Sequence, residues 1–184
     1  IENVANLFRY NLKKLDRAVP LIEEINNVET YIYILKTRFT DRIEFVQDIQ
    51  TDNLQVEVPC MILQPIVENA FIHGIGDMES GGTITLSVKN RASYIEIIIS
   101  DNGKGMDKRK VGQLLGTTNE DPANVTYDTE TKKGHTTGIG MRNVISRLNI
   151  FYGQDNIVSI DSEIGKGTSV YLRIPVSIKE KSYV

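Results

Sequence analysis

The 184-residue chain has one cysteine, no tryptophan and two histidines. Cys60, set between Pro59 and apolar residues, has no partner for an internal disulfide and reads as a core thiol that fits a reducing compartment. Charge is nearly balanced, 21 basic against 24 acidic residues for a net −3, so there is no basic footprint for nucleic acid or for an anionic membrane surface. No apolar run approaches the roughly 20 residues that a membrane helix needs, and the first residues carry no signal-peptide pattern. Neither G-x-G-x-x-G after a strand nor G-x-x-x-x-G-K-[ST] occurs, so both common nucleotide folds are unsupported. There is no internal repeat and no low-complexity segment.

What is there is a globular composition, 40% hydrophobic and 24% charged, enough for one domain and a smaller attached element. The chain opens at Ile1 directly in a helical pattern, as expected of a segment cut from a longer protein. Val4, Leu7, Phe8, Leu12 and Leu15 recur at helical spacing, and Pro20 marks the predicted end of that helix. Leu21, Ile25, Val28, Ile32, Leu35 and Phe39 then form an apolar seam at helical steps. Either this helix covers its own domain or it is a stem that dimerises; two heptads do not decide.

Ile43, Phe45 and Ile49 predict a strand, and Pro59 opens a predicted helix running to about His73, with Gly74 placed to end it. Pro65 inside it either kinks the helix or marks its true start. After a Gly81-Gly82 turn, Ile84, Leu86 and Val88 alternate, then Ile95, Ile97 and Ile99, which predicts a hairpin. Residues 107–137 hold few apolar groups, and such a long connection is commonly functional. Ile139, Val144, Ile145, Leu148 and Phe151 restore helical spacing. Ile157 to Ile160, a Gly165-Lys166-Gly167 turn and Val170, Leu172 and Ile174 predict a second hairpin.

Three segments together describe a pocket for a purine nucleoside triphosphate and its metal. On the predicted helix Asn69 and His73 share a face, while Glu68 points about 100° away. The amide oxygen of Asn69 can ligate Mg²⁺, which takes few protein oxygens and completes its shell with phosphate and water. Alone, such an Asn is more simply a satisfied hydrogen bond, and His73 a helix-end histidine interacting with the dipole. Asp101 ends a predicted strand, and Gly103 and Gly105 let the following backbone turn close to a flat ring, where the carboxylate can accept from the exocyclic amine of adenine. A bare D-x-G-x-G makes an ordinary loop just as readily. Gly138-Ile139-Gly140 opens the helix of Val144 and Leu148, so its free amides would face phosphate. Gly165-Lys166-Gly167-Thr168 is either a plain hairpin turn or the means by which Thr168 reaches the base pocket.

The run Leu63-Gln64-Pro65-Ile66-Val67-Glu68-Asn69-Ala70-Phe71-Ile72-His73-Gly74 resembles the N box of sensor histidine kinases of the YesM/LytS type. Asp101 to Met106 is similar to their first glycine box, Thr137 to Leu148 to the second, including Gly138-Ile139-Gly140-Met141, and Gly165 to Thr168 to the third. Arg9-Tyr10 and Arg38-Phe39 resemble the family's helical lead-in. The resemblance implies an α+β fold, the Bergerat-type (GHKL) two-layer α/β sandwich, with a mixed sheet covered by helices on one face and preceded by N-terminal helices. It implies residues 1–40 as the last part of the dimerisation and phosphotransfer helices, and residues 41–184 as the ATP-binding catalytic domain with a lid at 107–137.

It further implies Asn69 as the Mg²⁺ ligand, Asp101 as the adenine reader, and Gly103, Gly105, Met106, Met141 and Thr168 around the nucleotide. Gly138, Ile139 and Gly140 fall on the phosphates, and His73 and Glu68 take part in catalysis. The cofactors are then ATP and Mg²⁺. The implied partners are a response regulator and a second kinase copy, with the chain a cytoplasmic portion of a membrane-bound sensor. Two departures stand out. In the related gyrase, MutL and Hsp90 ATPases a water-activating glutamate stands where this chain has Pro65, so efficient hydrolysis is not expected. The family's phosphoacceptor motif, Asn-Pro-His-Phe-Leu-Phe-Asn, is absent, and neither His73 nor His135 is expected to replace it. An anti-sigma-type protein-serine kinase and a non-enzymatic nucleotide-sensing module are the rival readings.

Overall fold

A computed structural model describes residues 17–39, 42–117 and 139–176. The helix expected over Val4 to Leu15, the Arg9-Tyr10 lead-in, His135 and Gly138 lie outside the described residues. Pro20 closes a short strand, not a helix: β1 (Ala18–Pro20) pairs antiparallel with β3 (Glu57–Pro59). The amide of Leu21 donates to Val56 O at 2.9 Å and that of Cys60 to Arg17 O at 3.0 Å. This small ribbon sets the starts of two helices side by side, α1 (Leu21–Arg38) and α2 (Leu63–Asn69).

The main sheet has five strands in the order β2 (Ile43–Gln50), β4 (Gly82–Asn90), β5 (Tyr94–Asp101), β7 (Gly167–Pro175), β6 (Val158–Glu163). β2 runs parallel to β4 and the other pairs are antiparallel, so the sheet is mixed. Both predicted hairpins form. Alternation explains the layering: Ile95, Ile97 and Ile99 are buried while Glu96, Ile98 and Ser100 between them are only half-buried. The buried set packs with α1, with α2 and with Met141, Val144 and Leu148 of α4 (Ile139–Tyr152) in one core. Leu21, Ile25, Val28 and Ile32 are at most 3% exposed, so the apolar seam of α1 covers its own domain. Among the described residues no helix is long and apolar enough to cross a membrane.

Three expectations are corrected. Pro59 ends β3, and α2 begins at Leu63, which puts Pro65 in the first turn, where a missing N–H leaves no intrahelical bond unmade. Gly74 does not stop that helix, which continues as a π-helical turn over Ala70–Ile75. The 107–137 stretch is not wholly loop, because α3 (Lys108–Leu115) lies inside it. Asp107 caps α3 by accepting from the Lys110 amide at 2.7 Å, and Gly116 ends it at φ 70°.

Candidate nucleotide site

The loop after β5 is pinned almost residue by residue. Asn102 accepts from the Thr83 amide at 2.8 Å and donates to Gly81 O at 2.9 Å, fixing the loop to the start of β4. The amide of Lys104 donates to Gly74 O at 3.1 Å, and Lys104 O accepts from the Gly165 amide at 2.8 Å. Met106 N donates to Ser162 Oγ at 2.8 Å. The loop is thereby stretched between the π-helical turn and the β6–β7 hairpin. A Cβ at Gly103 would overlap the backbone of Gly74, and Gly105 sits at φ 65° where a Cβ would overlap the Glu163 carbonyl. These close approaches demand glycine.

Asp101 ends β5 opposite Thr168 of β7. Its Oδ1 accepts from the Gly103 amide at 2.9 Å. Burial lifts its pKa above the ordinary carboxylate value, against the pull of backbone hydrogen bonds at Gly103 and Thr168. The carboxylate rests on the backbone of Gly74, where an added Cβ would come within 2.6 Å of Asp101 Cγ. Ser162 Oγ donates to Gly167 O at 3.0 Å and lies 2.9 Å from Thr168 Oγ1, tying the hairpin to this corner.

A cavity of about 470 Å³ opens from Asp101 toward α2 and α3. Ile66, Ile99, Met141 and Val170 give it an apolar wall, and Asn69, His73, Lys104 and Lys110 a polar side. The Asn69 amide nitrogen donates to Pro65 O at 2.8 Å. Because that carbonyl can only accept, the Asn69 nitrogen must face it, which leaves Oδ1 for another partner. Burial, then the charges of Lys110 and Lys104, depress the His73 pKa below its ordinary value, with Asp77 opposing. Lys104, Lys110 and the imidazole thus line one space, in which Lys104 Nζ is paired with Asp77 Oδ2 at 3.3 Å.

The family model described as histidine kinase-, DNA gyrase B- and HSP90-like ATPase matches residues 56–178, and a histidine kinase model matches residues 1–43. The chain belongs to that ATPase family. Its relatives include sensor histidine kinase YpdA of Escherichia coli K12, 28% identical over 176 residues, covering 95% of this chain and 28% of the relative. Sensor protein LytS of Oceanobacillus iheyensis is 29% identical over 173 residues, covering 94% and 28%. The chain therefore spans under a third of the length of these relatives. In fold, the catalytic domain of histidine kinase ThkA superposes with a TM-score of 0.61 at 16% identity, covering 86% of this chain and 96% of that one. The mycobacterial sensor histidine kinase MprB gives 0.56 at 16%, covering 87% and 97%.

In this member of the ATPase family the cavity brings together Asn69, His73, Asp101, Gly105, Met106, Met141 and Thr168 of the residues singled out in the sequence. Gly103 stands behind it, against Gly74. Glu68 does not line it; its Oε1 accepts from Gln64 Nε2 at 2.9 Å, and its charge, after burial, helps raise the Tyr31 pKa. Gly140 lies in the first turn of α4, where an added Cβ would stand 4.0 Å from Pro65 Cβ, and Ile139 begins that helix. Lys104, Lys110, Asp77 and Leu114 also line the cavity and were missed. Lys104 was readable inside the D-N-G-K-G run; Lys110 and Leu114 required recognition of α3.

Proposed function

We propose that the chain binds Mg-ATP in this cavity and is the ATP-binding catalytic part of a two-component sensor histidine kinase, transferring the γ-phosphoryl to a histidine upstream. The observation that carries the proposal is the Asp101 carboxylate, half-buried and lining a partly apolar cavity that His73, Lys104 and Lys110 also line. The residues present fit the nucleotide: an acceptor for the adenine amine, an apolar wall, a glycine-tight loop, and lysines for phosphate. The free Oδ1 of Asn69 fits one Mg²⁺ position. Among the described residues no group of three or more His, Cys, Asp or Glu could hold a metal, so phosphate and water would complete the shell.

When bound, Mg²⁺ would neutralise charge on the β- and γ-phosphates. This chain's residues would do the rest: Asp101 would orient the base, Asn69 would hold the metal, and Lys104, Lys110 and His73 would oppose phosphate charge. An imidazole nitrogen of the acceptor attacks the γ-phosphorus as the bond to the β–γ bridging oxygen breaks and ADP leaves. Pro65 offers no carboxylate to activate water, so hydrolysis is slow. Glu68, outside the cavity, is a candidate to orient the acceptor. Of the lid expected at residues 107–137, α3 borders the cavity through Lys110 and Leu114, and residues 118–137 lie outside the described residues. A response regulator, dimerisation and membrane attachment belong to the full-length protein. YpdA and LytS are named sensors, and a fold neighbour, full-length ShkA at TM-score 0.56 and 16% identity, was solved in complex with AMPPNP.

The test is radiolabelled ATP with Mg²⁺, the chain, and a supplied helical segment bearing the family's histidine motif. Acid-labile label on the supplied segment is expected. Acid-stable label would point to the serine kinase, binding without transfer to the sensing module, and label on His73 or His135 in the chain alone would overturn the proposal.

A further inference from the structure

The start of α2 has no cap of its own, since Ile62 contributes no side-chain hydrogen bond there. The first amides of any helix lack intrahelical partners. Here the amides of Ile62 and Leu63, and that of Met61 just before them, are met from another helix. Glu24, in the first turn of α1 and 1% exposed, accepts from Met61 N at 2.7 Å through Oε1, and from Ile62 N at 2.8 Å and Leu63 N at 2.9 Å through Oε2. Met61 takes a left-handed φ of 63°, unusual outside glycine, in the turn that aims these amides at the carboxylate. The carbonyls of the same turn are held by Arg147 of α4, whose Nη1 donates to Cys60 O at 2.6 Å and to Met61 O at 3.3 Å.

We infer that Glu24 and Arg147 are positioning residues for the metal-holding amide: by gripping both edges of the turn at residues 60–63, they fix where α2 begins and so where Asn69 stands. The helix between is only Leu63–Asn69, and Asn69 is itself bonded to Pro65 O in its first turn, so a displaced start displaces Oδ1. The same grip joins α1, whose seam packs in the common core, and α4, whose first turn carries Gly140 near Pro65 and whose Met141 lines the cavity. The orientation of α1 is thus written into the geometry of the Mg²⁺ position. This rests on the assignment of Asn69 as ligand.

Calorimetry of ATP binding to the 184-residue chain, with Mg²⁺ and with EDTA, tests it. Glu24→Gln keeps the shape but turns an amide nitrogen toward at least one donor. It should weaken binding about tenfold with Mg²⁺, the worth of one charge-assisted hydrogen bond, and less than about twofold with EDTA. The double variant with Asn69→Ala should match Asn69→Ala alone. Arg147→Lys, which keeps the charge but is shorter and cannot set a guanidinium N–H at both carbonyls, should show the same Mg²⁺-selective loss and decides the matter if Glu24→Gln does not fold. Equal losses with and without Mg²⁺, or additive losses in the double variant, overturn the inference. An Asn69→Ala chain with undiminished Mg²⁺ dependence overturns the metal assignment, and the inference with it.

Discussion

Glu24 and Asp101 are carboxylates turned into the same domain, and their surroundings differ in kind. Glu24 is sealed from water and accepts from three backbone amides within 2.9 Å. Asp101 is half-buried, accepts from the Gly103 amide, and still has its pKa lifted by burial. One charge is answered by the chain; the other keeps acceptor capacity toward an open cavity. A fold tends to satisfy the charges that hold it together and to leave less satisfied those that await a ligand.

The largest expected effect comes from emptying the satisfied site. Glu24→Ala leaves three amides short of a partner, each worth about 1–3 kcal/mol when buried, so urea unfolding should show a loss of at least about 3 kcal/mol. A change under about 0.5 kcal/mol would mean that water replaces the carboxylate freely and that the contrast with Asp101 is empty.

Asp101→Asn should do the reverse, leaving folding stability equal or higher while weakening ATP roughly 10- to 150-fold, or about 1.5–3 kcal/mol. GTP should bind the parent chain poorly. Equal affinities for the two nucleotides would remove adenine recognition from Asp101.

Acidification sharpens the contrast further. Because the folded-state pKa of Asp101 is raised, its penalty on the empty fold is absent below the ordinary value of 3.8 and grows as pH rises through the raised one. ATP affinity runs the other way, falling as pH drops and the acid loses its acceptor role, beginning above pH 3.8. Titration of binding against pH should show this fall in the parent and not in Asp101→Asn; identical profiles would refute it. The smallest effect concerns His73, whose depressed pKa reflects burial and the lysines. Triphosphate opposes those lysines, so binding near pH 6.5 should take up a fraction of a proton, seen in calorimetry as a heat that depends on buffer and is lost in His73→Ala.

Legibility in the sequence followed the range of the interaction. The β4–β5 and β6–β7 hairpins could be read because Ile, Leu and Val alternate along strands joined by short turns. Asn69, His73 and Asp101 could be read because each motif is contiguous. β1 and β3 could not, since three-residue strands show no periodicity, and α3 hid because only Val111, Leu114 and Leu115 are apolar among its eight residues. The grip of Glu24 on Met61, Ile62 and Leu63 spans 37 to 39 residues and leaves no local pattern at all. The helix start misread at Pro59 has the same cause, because the turn at residues 60–63 is shaped by α1 and α4.

The parallel pairing of β2 with β4 has a kinetic side. Parallel neighbours need a crossover connection, and here residues 51–81 supply it, with α2 and its π-helical extension inside. The β4–β5 hairpin can zip locally, whereas β2 docks only after that long loop closes. The same crossover carries Asn69 and His73, which line the cavity with Asp101. Pairing of β2 is therefore expected to follow zipping of the hairpin, and the chain that must be ordered for it carries one side of the proposed nucleotide pocket. A nucleotide that bridges Asp101 and Asn69 would hold α2 to the end of β5 and so tie the crossover, rather than the edge strand itself, to the centre of the sheet.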